Sequence, residues 1–284
     1  MIIVHTVAEL QNELDPARKN GAKIGFVPTM GALHQGHISL VEKCLEDNGV
    51  CVVSIFVNPT QFNDKSDFQK YPRTLDADFK LLEEKGVDIL FAPGEKDIYP
   101  QPDTRQFDFG LLDKVMEGKH RPGHFNGVAQ VVSRFFDIVK PDRAYFGEKD
   151  FQQLAIIRAM VKDLDLSIQI IGMPIRREES GLAMSSRNER LTPGERKIAA
   201  NIYAILSDNY KQMNCWPVAD TIKKVTDEIN KEPGLRVEYF DIVNGNTLQS
   251  VSDWSDSDYI VGCIAVFCGD VRLIDNITYR TPFN

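Results

Sequence analysis

Two histidines flank a glycine in the order H-x-G-H near the start of the chain. His34 and His37 follow an apolar segment that predicts a strand and precede a pattern that predicts a helix, with Gly31 and Gly36 in the turn between them. A turn of this kind exposes backbone N–H groups and the positive end of a helix dipole, which together bind anions. The two glycines would let a ligand approach the backbone closely.

The chemistry that fits these residues is transfer of a phosphoryl group. Imidazole donors aimed at that group stabilise the charge that builds on it during transfer, so no hydrolytic triad is needed. A histidine that caps the helix, or a pair of metal ligands, is the alternative. Two of the five histidines surround one glycine, and this pairing favours the phosphate site over both alternatives.

A second polar cluster, residues 144–150, follows another predicted strand and leads into a helix that carries Gln153. Gly147 permits close approach, Lys149 could reach a phosphate, and Asp150 could accept from a ribose hydroxyl or cap the helix. A solvated surface turn has the same composition. The functional interpretation therefore depends on the H-x-G-H turn.

A third cluster, residues 181–188, combines small residues with Ser185, Ser186 and Arg187. Two hydroxyls and a guanidinium suit a phosphate-binding loop that opens and closes. A flexible linker capped by serine is the alternative. The combination with the other two clusters favours the binding loop.

The elements that must position these clusters follow from the hydrophobic periodicity. In the first half of the chain, β-branched segments alternate with helical patterns, which predicts a Rossmann-like α/β fold with helices on both faces of a parallel sheet. Ligands bind at the carboxyl ends of the strands in such a sheet. The predicted strands are residues 23–27, 50–57, 88–92, 143–146 and 167–171, and the predicted helices are residues 37–47, 74–85, 127–139 and 150–164.

The pattern changes after residue 175, so the sequence predicts two domains. Residues 1–175 form the Rossmann-like domain, and residues 176–284 form a smaller C-terminal α+β lid domain. Thr192 and Glu195 have capping-box spacing at the start of a helix. Further helical patterns cover residues 195–210 and 219–230, and strand patterns cover residues 236–243 and 259–267.

Composition excludes several classes of protein. The 284 residues are 43% hydrophobic and 26% charged, which argues against a disordered or coiled-coil chain. A net charge of −8 has the wrong sign for holding a nucleic acid. Apolar segments fall short of the roughly 18 residues of a membrane span, and no targeting segment precedes the first strand. The five scattered cysteines suit a reducing compartment, so we expect a soluble, cytoplasmic protein that binds neither nucleic acid nor membrane.

With these motifs established, the chain resembles the pantothenate synthetases (pantoate–β-alanine ligases) of the H-x-G-H nucleotidylyltransferase superfamily. H-x-G-H alone would indicate only the superfamily, whereas Asn-Pro-Thr-Gln-Phe and Ala-Met-Ser-Ser-Arg-Asn beside it indicate the ligase. The matching segments occur in order over most of the chain: residues 28–37, 56–62, 71–74, 147–150 with Gln153, 184–188 and 272–276.

The resemblance implies a reaction in two steps. Pantoate carboxylate attacks the α-phosphorus of ATP to give pantoyl adenylate and pyrophosphate, and the amine of β-alanine then displaces AMP to give pantothenate. The expected partners are thus small molecules: ATP as substrate, pantoate and β-alanine. The resemblance also implies a homodimer and the use of Mg²⁺, for which we suspect Asp76 and Asp78 as ligands, although a first-turn aspartate is also a common partner of the helix dipole.

The resemblance also assigns residues. It implies that His34, His37, Lys149 and Arg187 are catalytic, that Gln61 and Gln153 bind pantoate, and that Gln61 also binds β-alanine. Neutral amides suit an acid whose carboxylate must remain nucleophilic. Arg176 departs from the apolar residue usual at its position, and a backbone contact to adenine would tolerate it. The implied ATP-binding residues are Met30, Gly31, Ala32, Leu33, His34, Gln35, Gly36, His37, Gly147, Glu148, Lys149, Asp150, Arg176, Met184, Ser185, Ser186 and Arg187.

Two segments are expected to move. Residues 119–124 combine four potentially cationic side chains with proline and glycine, which predicts either a mobile basic gate near the site or a solvated turn. Residues 184–188 are expected to close on ATP together with the lid domain, because an acyl adenylate must be shielded from water.

Two other functions remain open alternatives. A transferase of the same superfamily that stops after nucleotidyl transfer to a phosphorylated acceptor would need extra cations where this chain has glutamines. A nucleotide-binding regulatory module would need neither the histidine pair nor Arg187.

Overall fold

The computed structural model describes residues 1–62 and 65–282, which fold into two compact units. The first unit comprises Met1–Phe109, Arg121–Glu148 and Ile156–Pro174, and the second comprises Gly110–His120, Lys149–Ala155 and Ile175–Asn284. The division after residue 175 that the sequence predicts assigns Gly110–His120 and Lys149–Ala155 to the first domain. The predicted domain boundary after residue 175 remains a proposal.

The first unit is built on a six-stranded parallel sheet in the order β1-β4-β3-β2-β5-β6. The strands are β1 (Ile2–Val4), β2 (Ile24–Thr29), β3 (Val50–Ile55), β4 (Ile89–Phe91), β5 (Arg143–Gly147) and β6 (Gln169–Met173). The helices of this unit are α1 (Val7–Lys19), α2 (Gln35–Asp47), α3 (Lys65–Lys70), α4 (Leu75–Glu84), α5 (Glu95–Ile98), α7 (His124–Val139) and most of α8 (Phe151–Asp163). Helix α6 (Met116–His120) and the first turn of α8 belong to the second unit.

Alternate side chains of β2 explain why helices cover both faces of this sheet. Val27 packs in a buried apolar cluster with Leu40 and Val41 of α2. Phe26 points the other way, and its ring lies 5.5 Å from that of Phe135 in α7. Successive residues of a strand point to opposite faces, so a strand buried on both sides is apolar throughout. The predicted Rossmann-like arrangement is confirmed.

The strand order places the ends of β2, β3 and β5 side by side. The chain runs from β2 to β3 on one side and only later adds β5 on the other, so the order reverses at β2. Ligands of parallel α/β sheets bind at such a switch point, beyond the carboxyl ends of the strands. The segments that follow β2 and β3 are residues 30–34 and 56–62.

The second unit contains a three-stranded antiparallel sheet of β7 (Leu235–Asn244), β8 (Ile260–Cys268) and β9 (Val271–Arg280). Two helices, α9 (Pro193–Tyr210) and α10 (Val218–Lys231), contribute Ala199, Leu206 and Val225 to its apolar core. The capping box predicted at the start of α9 is present, because Thr192 accepts from the backbone N–H of Glu195. The predicted α+β character of this region is confirmed.

Six of the helices and strands named above were not predicted from the sequence: α1, α3, α5, α6, β1 and β9. Helix α1 begins at a capping box of Thr6 and Glu9, but Pro16 lies within it and masks its helical pattern. Strand β1 is three residues long and carries two exposed isoleucines, and β9 mixes Asp275 and Asn276 into its pattern. Among the residues that the structure describes, no helix is long and apolar enough to cross a membrane.

Candidate active site

The H-x-G-H turn joins the end of β2 to the start of α2, and its two histidines cap the helix reciprocally. The backbone N–H of Gly36 donates to Nδ1 of His34 at 3.1 Å, and the N–H of His34 donates to Nδ1 of His37 at 3.3 Å. The capping role that the sequence offered as an alternative is therefore present. Because it uses only one nitrogen of each ring, it is compatible with phosphate chemistry.

These two hydrogen bonds select the tautomer of each histidine. A neutral imidazole carries its proton on one nitrogen and accepts at the other. Since Nδ1 accepts in both His34 and His37, the proton of each neutral ring is on Nε2. The ring centroids lie 4.1 Å apart, and the ring planes are tilted by 39°.

The backbone amides of the turn differ from the sequence-based expectation. We expected them to be exposed for an anion, but several donate inside the protein. The N–H of Gly31 donates to Oγ1 of Thr29 at 3.2 Å. Those of Ala32 and Leu33 donate to the carboxylate of Asp78 at 2.9 and 2.8 Å. A buried carboxylate from α4 therefore takes the amide donors of Ala32 and Leu33.

Gln61 lies in a 3₁₀ turn, Pro59–Gln61, that follows β3. Its Oε1 accepts from Nδ2 of Asn58 at 3.2 Å, and its Nε2 donates to Sδ of Met30 at 2.9 Å. Tyr99 donates to Oδ1 of Asn58 at 3.0 Å. The side chain of Gln61 is thus oriented by neighbours and lies beside Met30, the first residue of the H-x-G-H turn.

Helix α7 packs against this 3₁₀ turn, a contact that the motifs in the sequence do not indicate. Nδ1 of the buried His124 bonds the carbonyl oxygen of Gln61 at 2.8 Å. A Cβ on Gly127 would lie 2.5 Å from the carbonyl oxygen of Thr60, so only glycine allows the approach. The mobile gate predicted for residues 119–124 is wrong for His124, because this ring is buried and hydrogen-bonded. A glycine in the first turn of α7 was the available signal.

The second cluster is divided between the two units. Gly147 ends β5 and Glu148 donates from its backbone to Met173 of β6 at 2.8 Å, both in the first unit. Lys149 and Asp150 belong to the second unit, and Lys149 Nζ lies 3.8 Å from Asp150 Oδ1.

Strand β9 positions the main chain of Lys149. Nδ2 of Asn276 donates to the carbonyl oxygen of Lys149 at 3.1 Å. The neighbouring Asp275 is buried and accepts from both terminal nitrogens of Arg177, at 2.6 and 2.9 Å. Burial raises the pKa of the Asp275 carboxyl, and the Arg177 guanidinium opposes that rise. The sequence had only the resemblance at residues 272–276 to signal this support.

Two adjacent glutamines at the start of α8 have different environments. Gln152 is buried: its Nε2 donates to the carbonyl oxygens of Leu112 and Val115 at 2.6 and 2.9 Å, and its Oε1 accepts from the N–H of Glu117. Gln153 is partly exposed. The sequence assigned substrate binding to Gln153, and its exposure leaves it accessible for that role.

The third cluster begins with a short antiparallel contact. The N–H of Met184 donates to the carbonyl oxygen of Arg176 at 2.9 Å, while the side chain of Arg176 is exposed. The backbone carbonyl of Arg176 is therefore already an acceptor within the protein, and its side chain does not cover that contact.

The loop after Met184 is fixed at one buried residue. Nδ2 of Asn188 donates to Glu178 and to the carbonyl oxygen of Ala183, at 2.9 and 3.0 Å. Ser185 accepts from the backbone N–H of Arg187 at 3.3 Å, and Ser186 is buried, whereas Arg187 is partly exposed. The side-chain oxygen of Asn188 is buried and has no hydrogen-bond partner in the described part of the chain. Lys149, Ser185, Asn188 and Asp275 line one cleft within the second unit.

Of the two suspected magnesium ligands, Asp78 does not fit a metal site, because its carboxylate is occupied by donors of the protein. Asp78 is only 3% exposed, and its carboxylate accepts from Ala32, Leu33 and Thr74. Asp76 is exposed on the same helix. Over residues 1–62 and 65–282, no group of three or more His, Cys, Asp or Glu side chains could hold a metal ion.

Comparisons with known proteins agree over nearly the whole chain. The family model for pantoate-beta-alanine ligase matches residues 2–278. A pantothenate synthetase of Bacteroides thetaiotaomicron is 60% identical over 280 residues, covering 99% of each chain.

Solved structures give the same result. The crystal structure of pantothenate synthetase from Thermus thermophilus matches with a TM-score of 0.92 and 44% identity, over 99% of this chain and 100% of that one. A pantoate-beta-alanine ligase from Francisella tularensis, complexed with beta-gamma ATP and beta-alanine, matches with a TM-score of 0.84 and 40% identity, over 98% of both chains.

Proposed function

The chain belongs to the pantoate-beta-alanine ligase family, and on that premise we propose that it makes pantothenate in two ATP-dependent steps through a pantoyl adenylate. In the first step a carboxylate oxygen of pantoate bonds to the α-phosphorus of ATP, and the bond from that phosphorus to the bridging oxygen breaks. In the second step the amine of β-alanine bonds to the acyl carbon, loses a proton and displaces AMP. The ligand pair in the Francisella tularensis structure supports ATP and β-alanine as substrates.

The paired Nε2–H donors of His34 and His37 carry this proposal. Negative charge accumulates on the phosphate oxygens and on the departing pyrophosphate during adenylation. Donors that are already oriented stabilise that charge without reorganising at the moment of reaction. The reciprocal cap fixes both rings by their Nδ1 atoms, so their Nε2–H groups are the oriented donors.

The amide of Gln61 suits pantoate because its present partner is weak. A thioether sulfur such as that of Met30 is a poor hydrogen-bond acceptor. A hydroxyl or carboxylate oxygen of pantoate would therefore replace Met30 Sδ as the acceptor from Nε2 with a gain in free energy. The amide adds no charge, so a carboxylate held here keeps its nucleophilicity. Gln153 is proposed as a second amide for pantoate, and Gln61 also for β-alanine.

We assign nucleotide binding in the second unit to Lys149 and to residues 184–187. Lys149 is a point charge for a phosphate, with its backbone fixed by Asn276. The unpaired oxygen of Asn188 supports a ligand with an N–H or O–H donor in the cleft that Lys149 also lines, since a buried acceptor without a partner is costly. Arg187 is the cation for the pyrophosphate that leaves.

The resemblance further implies a homodimer in the cytoplasm and Mg²⁺ as cofactor, and these remain proposals. Because Asp78 does not fit a metal site, a magnesium ion would depend on the phosphates of ATP for most of its ligands.

The test is exchange of labelled pyrophosphate into ATP. We expect exchange that requires pantoate, that does not require β-alanine, and that falls when other hydroxy acids replace pantoate. Addition of β-alanine should then give AMP and pantothenate in equal amounts. Exchange without pantoate, or formation of ADP and inorganic phosphate, would contradict the proposal.

A further inference from the structure

Asp78 is a buried carboxylate that accepts hydrogen bonds from three donors of the protein. Two of them are consecutive backbone N–H groups, those of Ala32 and Leu33 in the H-x-G-H turn. The third is the hydroxyl of Thr74, which lies just before α4 and donates to Oδ1 at 3.2 Å. These three donors satisfy the hydrogen-bonding capacity that burial would otherwise leave unmet.

The two amides belong to a stretch of backbone whose conformation is sterically unfavourable. Gly31 and Ala32 both have positive φ, at 78° and 49°. For alanine this left-handed conformation is sterically unfavourable, so it persists only where neighbouring groups impose it. The carboxylate of Asp78 supplies two of the contacts that impose it. A Cβ on Gly31 would lie 3.1 Å from Oδ2 of Asp78, so the carboxylate packs directly against the turn.

The conformation of this turn sets the direction of the catalytic imidazoles. His34 comes directly after Leu33, and its backbone N–H and its Nδ1 both take part in the cap that orients the two rings. A shift of the Ala32 and Leu33 amides would therefore move the point from which His34 and His37 project. Small displacements of oriented donors cost large factors in rate.

We propose that Asp78 is a positioning residue that holds the H-x-G-H turn in its catalytic conformation through the amides of Ala32 and Leu33, and that it is not a metal ligand. This inference rests on the proposed function, because it gives Asp78 a role in the same adenylation step. Asp78 acts on the reaction through the turn and touches no substrate.

The test compares Asp78→Asn with Glu83→Gln, a matched control that removes a carboxylate charge from an exposed position of the same helix. An asparagine keeps one acceptor oxygen but turns an NH₂ group towards a backbone donor. We expect kcat/KM for adenylation to fall about tenfold to a hundredfold in Asp78→Asn, with KM for ATP rising more than KM for pantoate. Glu83→Gln should match the unaltered protein.

A second readout does not depend on activity. Hydrogen exchange measured on peptides that cover residues 30–37 should show faster exchange at Ala32 and Leu33 in Asp78→Asn and no change in Glu83→Gln. Equal rates of hydrogen exchange at Ala32 and Leu33 in the two variants would overturn the proposal. If the unaltered protein lacks pantoate-dependent exchange of pyrophosphate, the proposed function fails, yet the amide measurement still decides whether Asp78 holds the turn.

Magnesium titration separates positioning from metal binding. We expect the Mg²⁺ concentration for half-maximal rate to be the same in Asp78→Asn and in the unaltered protein. Rescue of Asp78→Asn by excess Mg²⁺ would overturn the proposal. If Asp78→Asn does not fold, Thr74→Val decides, because it removes one of the three donors. In Thr74→Val, adenylation should slow a few-fold and hydrogen exchange at Ala32 should become a few-fold faster. If both rates equal those of the unaltered protein, the proposal is contradicted.

Discussion

The H-x-G-H turn and the loop at residues 184–188 are both proposed to bind phosphates, but they are built differently. Amides of the turn donate to Asp78 and to the histidine rings, so its geometry is fixed by the protein itself. The loop is anchored at the buried Asn188, whereas Arg187 is partly exposed. If the proposed function is correct, the turn would supply donors oriented in advance for the transition state, and the loop would supply the cation of Arg187.

The largest expected effect tests the preorganised turn. Replacing His37 with alanine removes one oriented donor and one acceptor of the reciprocal cap. We expect pantoyl adenylate formation in a single turnover to slow about 10²- to 10³-fold. The exposed His5 is a matched control, and His5→Ala should retain the full rate. An unchanged single-turnover rate in His37→Ala would remove the histidine from the mechanism.

The loop is tested by measuring the two half-reactions separately. Arg187→Ala should slow adenylation roughly 10- to 100-fold, as expected for loss of a charge-assisted hydrogen bond. Attack of β-alanine on preformed adenylate should be affected less, because pyrophosphate has left by then. Arg190→Ala, in the same 3₁₀ helix, serves as control. Equal losses in both half-reactions would mean that Arg187 organises the site generally.

The adjacent glutamines of α8 separate substrate binding from structural support. Gln153→Ala should raise KM for pantoate about tenfold while changing KM for ATP little, since one hydrogen bond to substrate is lost. Gln152→Ala should instead lower the melting temperature, because it leaves the carbonyl groups of Leu112 and Val115 without their donor. If Gln152→Ala raised KM for pantoate and Gln153→Ala lowered the melting temperature, Gln152 would be the substrate-binding residue and Gln153 the structural one.

The smallest expected effect concerns the packing of Gly127 in α7 against the 3₁₀ turn that carries Gln61. Gly127→Ala should destabilise the fold by about 1–3 kcal/mol, because its Cβ would overlap the carbonyl group of Thr60. Gly194→Ala is the control, since nothing lies within 4 Å of the added Cβ. Urea denaturation of both variants measures the difference, and equal midpoints would contradict the packing derived for Gly127.

The parts of the molecule that depend on local pattern could be predicted from the sequence. The strands that lead to the site were found within a few residues, because both faces of β2 and β3 are apolar and their ends are marked by glycine, proline or asparagine. The H-x-G-H turn, the Thr192 capping box and the α+β second region were also correct, since each depends on residues close together in the chain.

Contacts between distant residues could not be predicted in the same way. Asp78 was recognised as a candidate, but a carboxylate near the start of a helix has the same appearance whether it binds a metal or distant amides. Only the fold brings it to Ala32, which lies 46 residues earlier in the chain. The same applies to His124 beneath Gln61 and to Asn276 on Lys149.

The most direct measurement follows the oxygen atoms of pantoate. Pantoate labelled with ¹⁸O in both carboxylate oxygens is incubated with ATP, β-alanine and the protein, and the products are analysed by mass spectrometry. Attack of the carboxylate on the α-phosphorus predicts one ¹⁸O in each AMP and one ¹⁸O in the amide of each pantothenate. Unlabelled AMP, or ¹⁸O in inorganic phosphate formed together with ADP, would contradict the adenylate mechanism.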